Sequence, residues 1–256
     1  MRILLWLCLT FLTIVSYAQP TTNNAIWEKA LKKNNFKINL YSLLIKNYSV
    51  SFERLISKRI SLQVGYRYGP YSYWIDNPIG KRIVKAGVGD PRYYAFQIGN
   101  NAVTADIRFY LGKKEGMRGL FTGLYGRYAV FDADNVDFNY VSKPEKVYSV
   151  PLVNNFTGVG GGIIIGRQWL IKNRITIEYI TGIQYGKISG SLISKKDLSA
   201  LSEPEKNELK ENITEMFDIF NKNYITNLTI NDKGLNGKIS GPFLGIRSAI
   251  SFGYIF

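Results

Sequence analysis

Eight charged side chains recur at alternate positions of segments whose other positions are apolar, and these are the residues best placed to act together chemically. They are Lys37, Glu53, Arg67, Asp106, Arg108, Arg127, Glu178 and Arg247. Acids and bases gathered on one face of a sheet can form an ion or proton path, or they can neutralise one another in salt bridges. We expect a structural salt-bridge network, whose individual pairs the sequence does not define, if these segments enclose an interior only wide enough for side chains.

Catalysis that depends on histidine is excluded, because the chain of 256 residues contains no His. Serine and cysteine triads and most zinc or haem sites need that residue. The single cysteine, Cys8, can form neither an internal disulfide nor a cysteine-rich metal site. The glycine-rich stretch 158–162 has no following Lys-Ser/Thr pair, so it is no phosphate-binding loop. We therefore expect no enzyme activity, no cofactor and no metal.

The charged positions lie on seven of eight segments that alternate with a period of two, which indicates half-buried β-strands. The segments lie near 36–44, 48–53, 60–69, 103–111, 120–130, 158–169, 175–185 and 244–256. An aromatic content of 14% and 24 glycines also favour β structure. The turns near 57–59, 112–118 and 170–173 are short and basic, whereas the connections near 70–101, 132–155 and 187–241 are long. Short turns at one end and long loops at the other are typical of an outer-membrane barrel.

The start of the chain predicts export. Arg2 precedes an apolar run that ends in Ser16-Tyr17-Ala18, which is typical of a cleavable signal peptide over residues 1–18. We interpret residues 19–35 as a periplasmic lead and residues 36–256 as the barrel. The fold class expected is all-β: an eight-stranded antiparallel up-and-down transmembrane β-barrel in the outer membrane.

A soluble, lipocalin-like barrel is the main alternative, and the two differ in which face is apolar. A soluble barrel buries its apolar face, whereas a membrane barrel turns that face toward lipid. Here the minor face carries the mixed charges and many glycines, as the packed interior of a narrow barrel would. The apolar face forms an almost continuous aliphatic band with Tyr and Trp toward its ends, which favours lipid contact.

The last long loop contains the only helical periodicity. Apolar residues from Leu209 to Phe220 recur at helical spacing, and Pro204 suits a first helical turn, so we predict an amphipathic helix over 203–222. It could cap the barrel mouth or meet a partner or lipid.

The sequence Gly-Lys-Ile-Ser-Gly also occurs twice, at 186–190 and 237–241, and antiparallel pairing of the last two strands would bring the copies together.

The chain resembles the small eight-stranded outer-membrane barrels typified by the OmpA transmembrane domain and OmpX, and more closely the uncharacterised barrel domains common in Bacteroidota. The resemblance rests on Lys37-Ile38-Asn39, Ser51-Phe52-Glu53-Arg54 and the Tyr254-Ile255-Phe256 ending, and it covers about 36–256. It implies that alternate residues of the last strand are the signal read by the barrel-assembly machinery: Ile250, Phe252, Tyr254 and Phe256.

The net charge of +14 suggests contact with anionic lipid, since an exported barrel is a poor candidate for binding nucleic acid. The candidate headgroup contacts crowd the short turns and are Lys58, Arg59, Lys113, Lys114, Arg118, Lys172 and Arg174. Lys81, Arg82, Lys85 and Arg92 in the first long loop could meet lipopolysaccharide phosphates. Ordinary solvated charge is the alternative reading of both groups.

The function expected is that of a non-catalytic barrel whose long loops contact envelope components or external ligands. A narrow channel or transporter for a small solute or ion is one alternative. A soluble exported ligand-binding barrel is the other.

Overall fold

The computed structural model describes residues 32–73, 81, 97–135, 139–142, 146–219 and 222–256. Its strands are β1 Asn34–Asn39, β2 Tyr48–Ser57, β3 Ile60–Tyr73, β4 Gln97–Tyr110, β5 Gly119–Asn135, β6 Asn139–Ser142, β7 Lys146–Ser149, β8 Leu152–Ile171, β9 Ile175–Ser194, β10 Asp218–Ile219, β11 Lys222–Asn223, β12 Ile225–Asn231, β13 Gly234–Pro242 and β14 Gly245–Ile255. The helices are α1 Leu40–Leu43 and α2 Glu203–Met216. No helix in these ranges is long and apolar enough to cross a membrane. The predicted signal peptide lies outside the described residues.

Antiparallel pairing closes the main sheet on itself. Starting at β9, the pairings pass through β14, β1, β2, β3, β4, β5 and β8 and return to β9. The prediction of an all-β antiparallel sheet that closes is therefore confirmed. The sheet has ten strands rather than the predicted eight, because β12 and β13 add to the far end of β9. Two further pairs, β6–β7 and β10–β11, form small separate sheets.

The two copies of Gly-Lys-Ile-Ser-Gly do pair, with Ile239 opposite Gly190 and Ser240 opposite Ser189. The second copy, however, belongs to β13 rather than to the final strand β14. Both strands follow one register along β9, since Gly245 of β14 lies opposite Gln184. β13 and β14 thus pair with β9 one after the other in the same register, and this pairing is interrupted around Phe243.

The first predicted strand is shorter than expected. β1 ends at Asn39, and Leu40 to Leu43 form the single turn α1, in which the Asn39 side chain accepts from the Ser42 amide at 3.2 Å. Asn39 stops the strand because its carbonyl also accepts from the Ser42 hydroxyl, which favours a helical turn. As a result, β1 pairs with β14 only over Ser251–Ile255. Within the described residues, no strand covers that edge of β14 from Gly245 to Ile250.

The closed part of the sheet has apolar side chains on its outer surface and polar ones inside. In β14, Ile246, Ile250 and Phe252 are exposed, with 80% of the Ile246 surface accessible. On the inner face, Glu53 and Arg108 are fully buried. The observed polarity is therefore the reverse of that of a soluble barrel.

A second region, which we call the cap, has ordinary polarity with apolar residues inside. It is formed by α2, β12, β13 and the far ends of β5, β8 and β9. Its buried core comprises Ala133, Val150, Leu152, Leu192, Leu198, Leu201, Leu209, Ile213, Met216, Ile225, Leu228, Leu235 and Ile239. This assembly replaces the simple long loop that the sequence suggested.

The predicted helix over 203–222 is correct at its start and too long at its end. Pro204 lies in the first turn, and the Glu205 carboxylate accepts from the Ser202 amide at 2.8 Å, which caps the N-terminus. The helix ends at Met216, where the Phe217 carbonyl accepts from the Tyr224 amide at 3.0 Å and the chain reverses. Phe220, part of the predicted apolar stripe, lies outside the described residues.

Candidate functional site

The inner faces of the ring strands bring six of the eight predicted charged residues into contact. Because side chains alternate between the two faces of a strand, residues of one parity on each strand point inward together. The six residues, which we call the ion-pair network, are Lys37, Glu53, Asp106, Arg108, Glu178 and Arg247. They come from five strands, so the network joins parts of the ring that are distant in sequence.

Lys37 occupies one end of the ion-pair network and is almost completely buried. Its Nζ lies 2.5 Å from Glu53 Oε2 and also contacts Glu178 Oε2. It donates to Gln168 Oε1 at 2.7 Å, so all three ammonium protons have an acceptor. A buried ammonium group requires this degree of compensation, because its desolvation is costly.

Arg108 is the centre of the network and is fully buried. Its Nη1 lies 2.6 Å from Glu178 Oε2, and its Nη2 lies 2.9 Å from Asp106 Oδ2. Its guanidinium also covers the Phe121 ring at 4.8 Å from the ring centre, a favourable cation–π geometry. The planar group thus bridges two carboxylates while its face rests on an aromatic side chain.

Arg247 binds Asp106 with both of its terminal nitrogens. The distances are 2.6 Å from Nη1 to Oδ1 and 3.0 Å from Nη2 to Oδ2, a bidentate pair. The Arg247 guanidinium lies 4.6 Å from the centre of the Tyr125 ring. Space for Tyr125 is provided by Gly162, where a Cβ would lie 1.8 Å from the Ile183 carbonyl oxygen and 3.0 Å from Tyr125 Cε1.

Several neutral residues that the sequence analysis did not select complete the network. Tyr110 donates to Glu53 Oε1 at 2.7 Å, and the Ser61 hydroxyl contacts the same oxygen. Gln63 donates to Asp106 at 3.3 Å, and Gln168 links Lys37 to the Met117 carbonyl. Tyr110, Ser61, Gln63 and Gln168 share the inward parity of the charges, which is the signal that could have identified them. Met117 lies in a turn, where parity gives no information.

Arg67 and Arg127, also predicted to belong to the network, have no carboxylate partner among the described residues. They lie beside Arg247 on the wall of a cavity of about 40 Å³. Arg127 Nε donates to Thr104 Oγ1 at 3.4 Å, a long hydrogen bond. Arg67 Nε is buried and has no hydrogen-bond partner. These two cations therefore remain uncompensated by the ion-pair network.

Aromatic side chains fill the lumen beyond the arginines. Phe131 and Phe156, which face each other across β5 and β8, stack with ring centres 4.9 Å apart. Phe243, at the interruption between β13 and β14, packs edge-on against Phe131 at 6.0 Å. A Cβ at Gly158 would lie 2.8 Å from the Phe243 ring, so glycine permits this close approach.

The predicted headgroup contacts lie in the short turns at the other end of the ring. Lys58 lies 2.8 Å from Glu115, and this hydrogen bond and charge raise the pKa of the lysine. Arg59 donates to the Lys113 carbonyl at 3.1 Å, and Arg174 donates to the Tyr254 hydroxyl at 3.1 Å. Arg118 Nε donates a hydrogen bond to the Glu115 carbonyl within the same turn. Lys113, Lys114 and Lys172 are exposed.

The outer face of β14 carries the residues of the predicted assembly signal. Ile250, Phe252, Tyr254 and Phe256 are all exposed on that face. The Tyr254 and Phe256 rings stack with centres 6.3 Å apart.

Of the cations predicted in the first long loop, Lys81 is exposed. Arg82, Lys85 and Arg92 lie outside the described residues.

The described residues contain no group of three or more His, Cys, Asp or Glu side chains that could hold a metal ion. The Ser61 hydroxyl contacts Glu53, and the carboxylates of the ion-pair network are engaged by the cations that surround them. The chemistry of the network is that of charge neutralisation across a narrow interior.

Residues 4–211 match the model of a family described as "Protein of unknown function (DUF3575)". The chain belongs to this family. The match includes β1 to β9 and ends within α2 of this DUF3575 protein. No similar sequence was found among curated proteins. Among solved structures, the N-terminal β-barrel domain of Pseudomonas aeruginosa OprF matches at 10% identity with a TM-score of 0.33, covering 89% of this chain and 100% of that one.

Proposed function

We propose that this DUF3575 protein is a non-catalytic, integral outer-membrane barrel whose wall is formed by the eight strands of the ring. The proposal is carried by the reversed polarity of that ring. Exposed side chains such as Val64, Leu124 and Ile163 cover its outer surface, where water would otherwise meet a large apolar area. A sheet can lie within hydrocarbon only where its edge strands pair with each other, and this sheet closes where β1 pairs with both β14 and β2.

The height of the apolar surface supports a membrane location. On β8 the outward residues are apolar or glycine from Val159 to Ile165, and Trp169 marks the lower end. About ten residues at ~3.3 Å each, tilted by about 40°, rise roughly 25 Å, the height of the apolar band of a membrane barrel. Arg167 interrupts the band near its lower edge, where its guanidinium lies 5.4 Å from the Trp169 ring centre and can reach the interface.

The polarity of β9 changes at the upper edge of this band. Its outward residues are Ile183 and Tyr185, followed by Lys187 and Ser189. Its inward residues change in the opposite sense, from Gln184 to the partly buried Ile188 that packs on the core of the cap. A strand that leaves lipid for water must reverse its pattern in this way, since its outer face then meets water.

The filled lumen favours a structural role over conduction. The ion-pair network crosses the interior from Arg108 on β4 to Glu178 on β9, and Lys37, Glu53 and Arg108 are each no more than 1% exposed. No described feature specifically favours the transport alternative. The cap, with its own apolar core and polar outer face, would stand outside the cell as the surface that meets envelope components or external ligands.

The test is to express the full chain, separate inner and outer membranes, and compare boiled with unboiled samples by gel electrophoresis. We expect a band confined to the outer membrane whose mobility changes on boiling, as for a compact barrel. Purified protein in planar bilayers should give no stable conductance steps. A protein that stays soluble without detergent after export would contradict the membrane proposal, and steady large channels would contradict the structural role.

A further inference from the structure

The inner face of the ring carries more positive than negative charge. Its cations are Lys37, Arg67, Arg108, Arg127 and Arg247, and its carboxylates are Glu53, Asp106 and Glu178. Lys37, Arg108 and Arg247 balance these three acids through the contacts of the ion-pair network. Two positive charges, those of Arg67 and Arg127, remain in the lumen with no described counterion.

Such an excess is costly where water is scarce. Two guanidinium groups on one small cavity repel each other, and each has lost part of its hydration. Arg67 also has a buried Nε with no acceptor, although nearly all buried polar groups in proteins are hydrogen-bonded. A bound anion would remove both costs, because it supplies negative charge and accepts N–H donors.

The lining of the cavity provides suitable donors. Besides the arginines it includes Ser49, Ser51 and Thr104, whose hydroxyls can also donate to an anion. Glu178 touches the same cavity, but its Oε2 already receives Lys37 and Arg108. The lining therefore presents two kinds of donor to an anion: guanidinium groups that lack a counterion, and hydroxyl groups.

We propose that Arg67 and Arg127, together with Arg247, form a binding site for a small monovalent anion of halide size. The cavity volume of about 40 Å³ sets this size limit. One water molecule needs a cavity of at least about 10–15 Å³, so this cavity holds a halide ion with one or two waters but leaves little room for a larger organic anion.

The cavity lies beside the part of β14 with which β1 does not pair. Asn39, the last residue of β1, lines it, and so do Arg247 and Ala249 from the stretch of β14 that β1 leaves uncovered. The site therefore lies where the ring is least completely paired. This inference is independent of the membrane proposal, because it depends only on the inner face of the ring.

The test measures thermal unfolding of the full chain in neutral detergent, in sodium bromide and in sodium gluconate at equal ionic strength. Binding to the native state raises the midpoint, so we expect a higher midpoint in bromide that rises with its concentration and then saturates. In Arg67→Gln, loss of a charged donor should weaken the apparent bromide affinity by roughly 10- to 100-fold. The double variant Arg67→Gln/Arg127→Gln should show no bromide effect.

Arg54→Gln is the matched control, because Arg54 is an exposed arginine on β2 that hydrogen-bonds to Asn34. It should retain the full bromide effect. In gluconate, the double variant should unfold at the same temperature as the wild type or higher, since it removes two uncompensated charges. Equal midpoints of the wild type in the two salts, or an undiminished bromide effect in the double variant, would overturn the site.

Crystals of the wild type grown in bromide provide a second measurement that does not depend on the variants folding. Anomalous scattering should place a bromide ion between the guanidinium groups of Arg67 and Arg127. A map with bromide only at surface positions would refute the proposal. Neither result bears on whether the ring spans a membrane, so the two proposals fail separately.

Discussion

Replacing Ile163 with arginine tests the proposed membrane contact at the position where it should matter most. Ile163 is 54% exposed on the outer face of β8, and its neighbours across the sheet are Leu124 and Ile183. In water, an exposed Ile→Arg change would alter stability by no more than about 0.5 kcal/mol. In a bilayer, the arginine would enter hydrocarbon and be strongly unfavourable.

The position of Ile163 sets the size of the effect. It lies four residues from Val159 and six from Trp169, so at ~3.3 Å per residue and a tilt of about 40° it is roughly 10–15 Å from either edge of the band. Arginine near the midplane of a membrane barrel costs about 2–4 kcal/mol. Because both neighbouring side chains are apolar, the new cation has no partner that would reduce this cost.

Asn155→Arg is the control, since Asn155 lies on the same face of the same strand, eight positions nearer the cap, and is already polar and exposed. The assay is urea unfolding of both variants from lipid vesicles, followed by the mobility shift on gels. We expect a loss of about 2–4 kcal/mol for Ile163→Arg and less than about 1 kcal/mol for Asn155→Arg. Equal stability of the two variants would refute the lipid contact.

Three further predictions concern the network and the cap. Glu178→Ala leaves Lys37 and Arg108 without their shared carboxylate and should cost about 3–5 kcal/mol, seen as a lower urea midpoint, with no conductance; a midpoint within about 0.5 kcal/mol of the wild type would contradict the network. Leu209→Ala should cost about 2–5 kcal/mol in the cap core, where the side chain is fully buried, and hydrogen exchange should rise in β12 while the ring stays protected; unchanged exchange in β12 would show that the core does not hold the cap. Hydrogen bonds to Asp232 and Glu203 raise the pKa of Lys206, so its stabilisation of the cap is complete below the unfolded-state pKa and is lost as pH rises through the folded-state pKa. Proteolysis of the cap should therefore accelerate at strongly alkaline pH in the wild type and not in Lys206→Met. The same pH dependence in both proteins would contradict this assignment.

Alternation made the closed sheet predictable, because a period of two fixes which face each residue occupies. Alternation places Ile250 and Phe252 on one face of the last strand and Arg247 on the other, and the structure exposes the apolar pair accordingly. The end of β1 was not predictable in this way. Leu40 and Leu44 continue the apolar pattern, but the hydrogen bonds between Asn39 and Ser42 end the strand locally.

The cap could not be predicted from the sequence, because its core depends on contacts between distant segments. Leu152 and Leu192 lie at the far ends of β8 and β9, and they become buried only when α2 and β12 pack over them. The separation of Arg67 and Arg127 from the carboxylates has a similar origin. Parity places them inside the ring, but their distance from Glu53 and Glu178 depends on the register between strands, which one sequence does not reveal.

The unequal lengths of the strands give the barrel a rim of uneven height. β9 continues for nine residues past Tyr185, about 20 Å along the axis, whereas β1 stops at Asn39. An epitope tag inserted into the tight turn between Asn231 and Gly234, at the tip of the tall side, should thus be reached by antibodies on intact cells. The same tag at Leu43, on the low side of the rim, should be reached less readily.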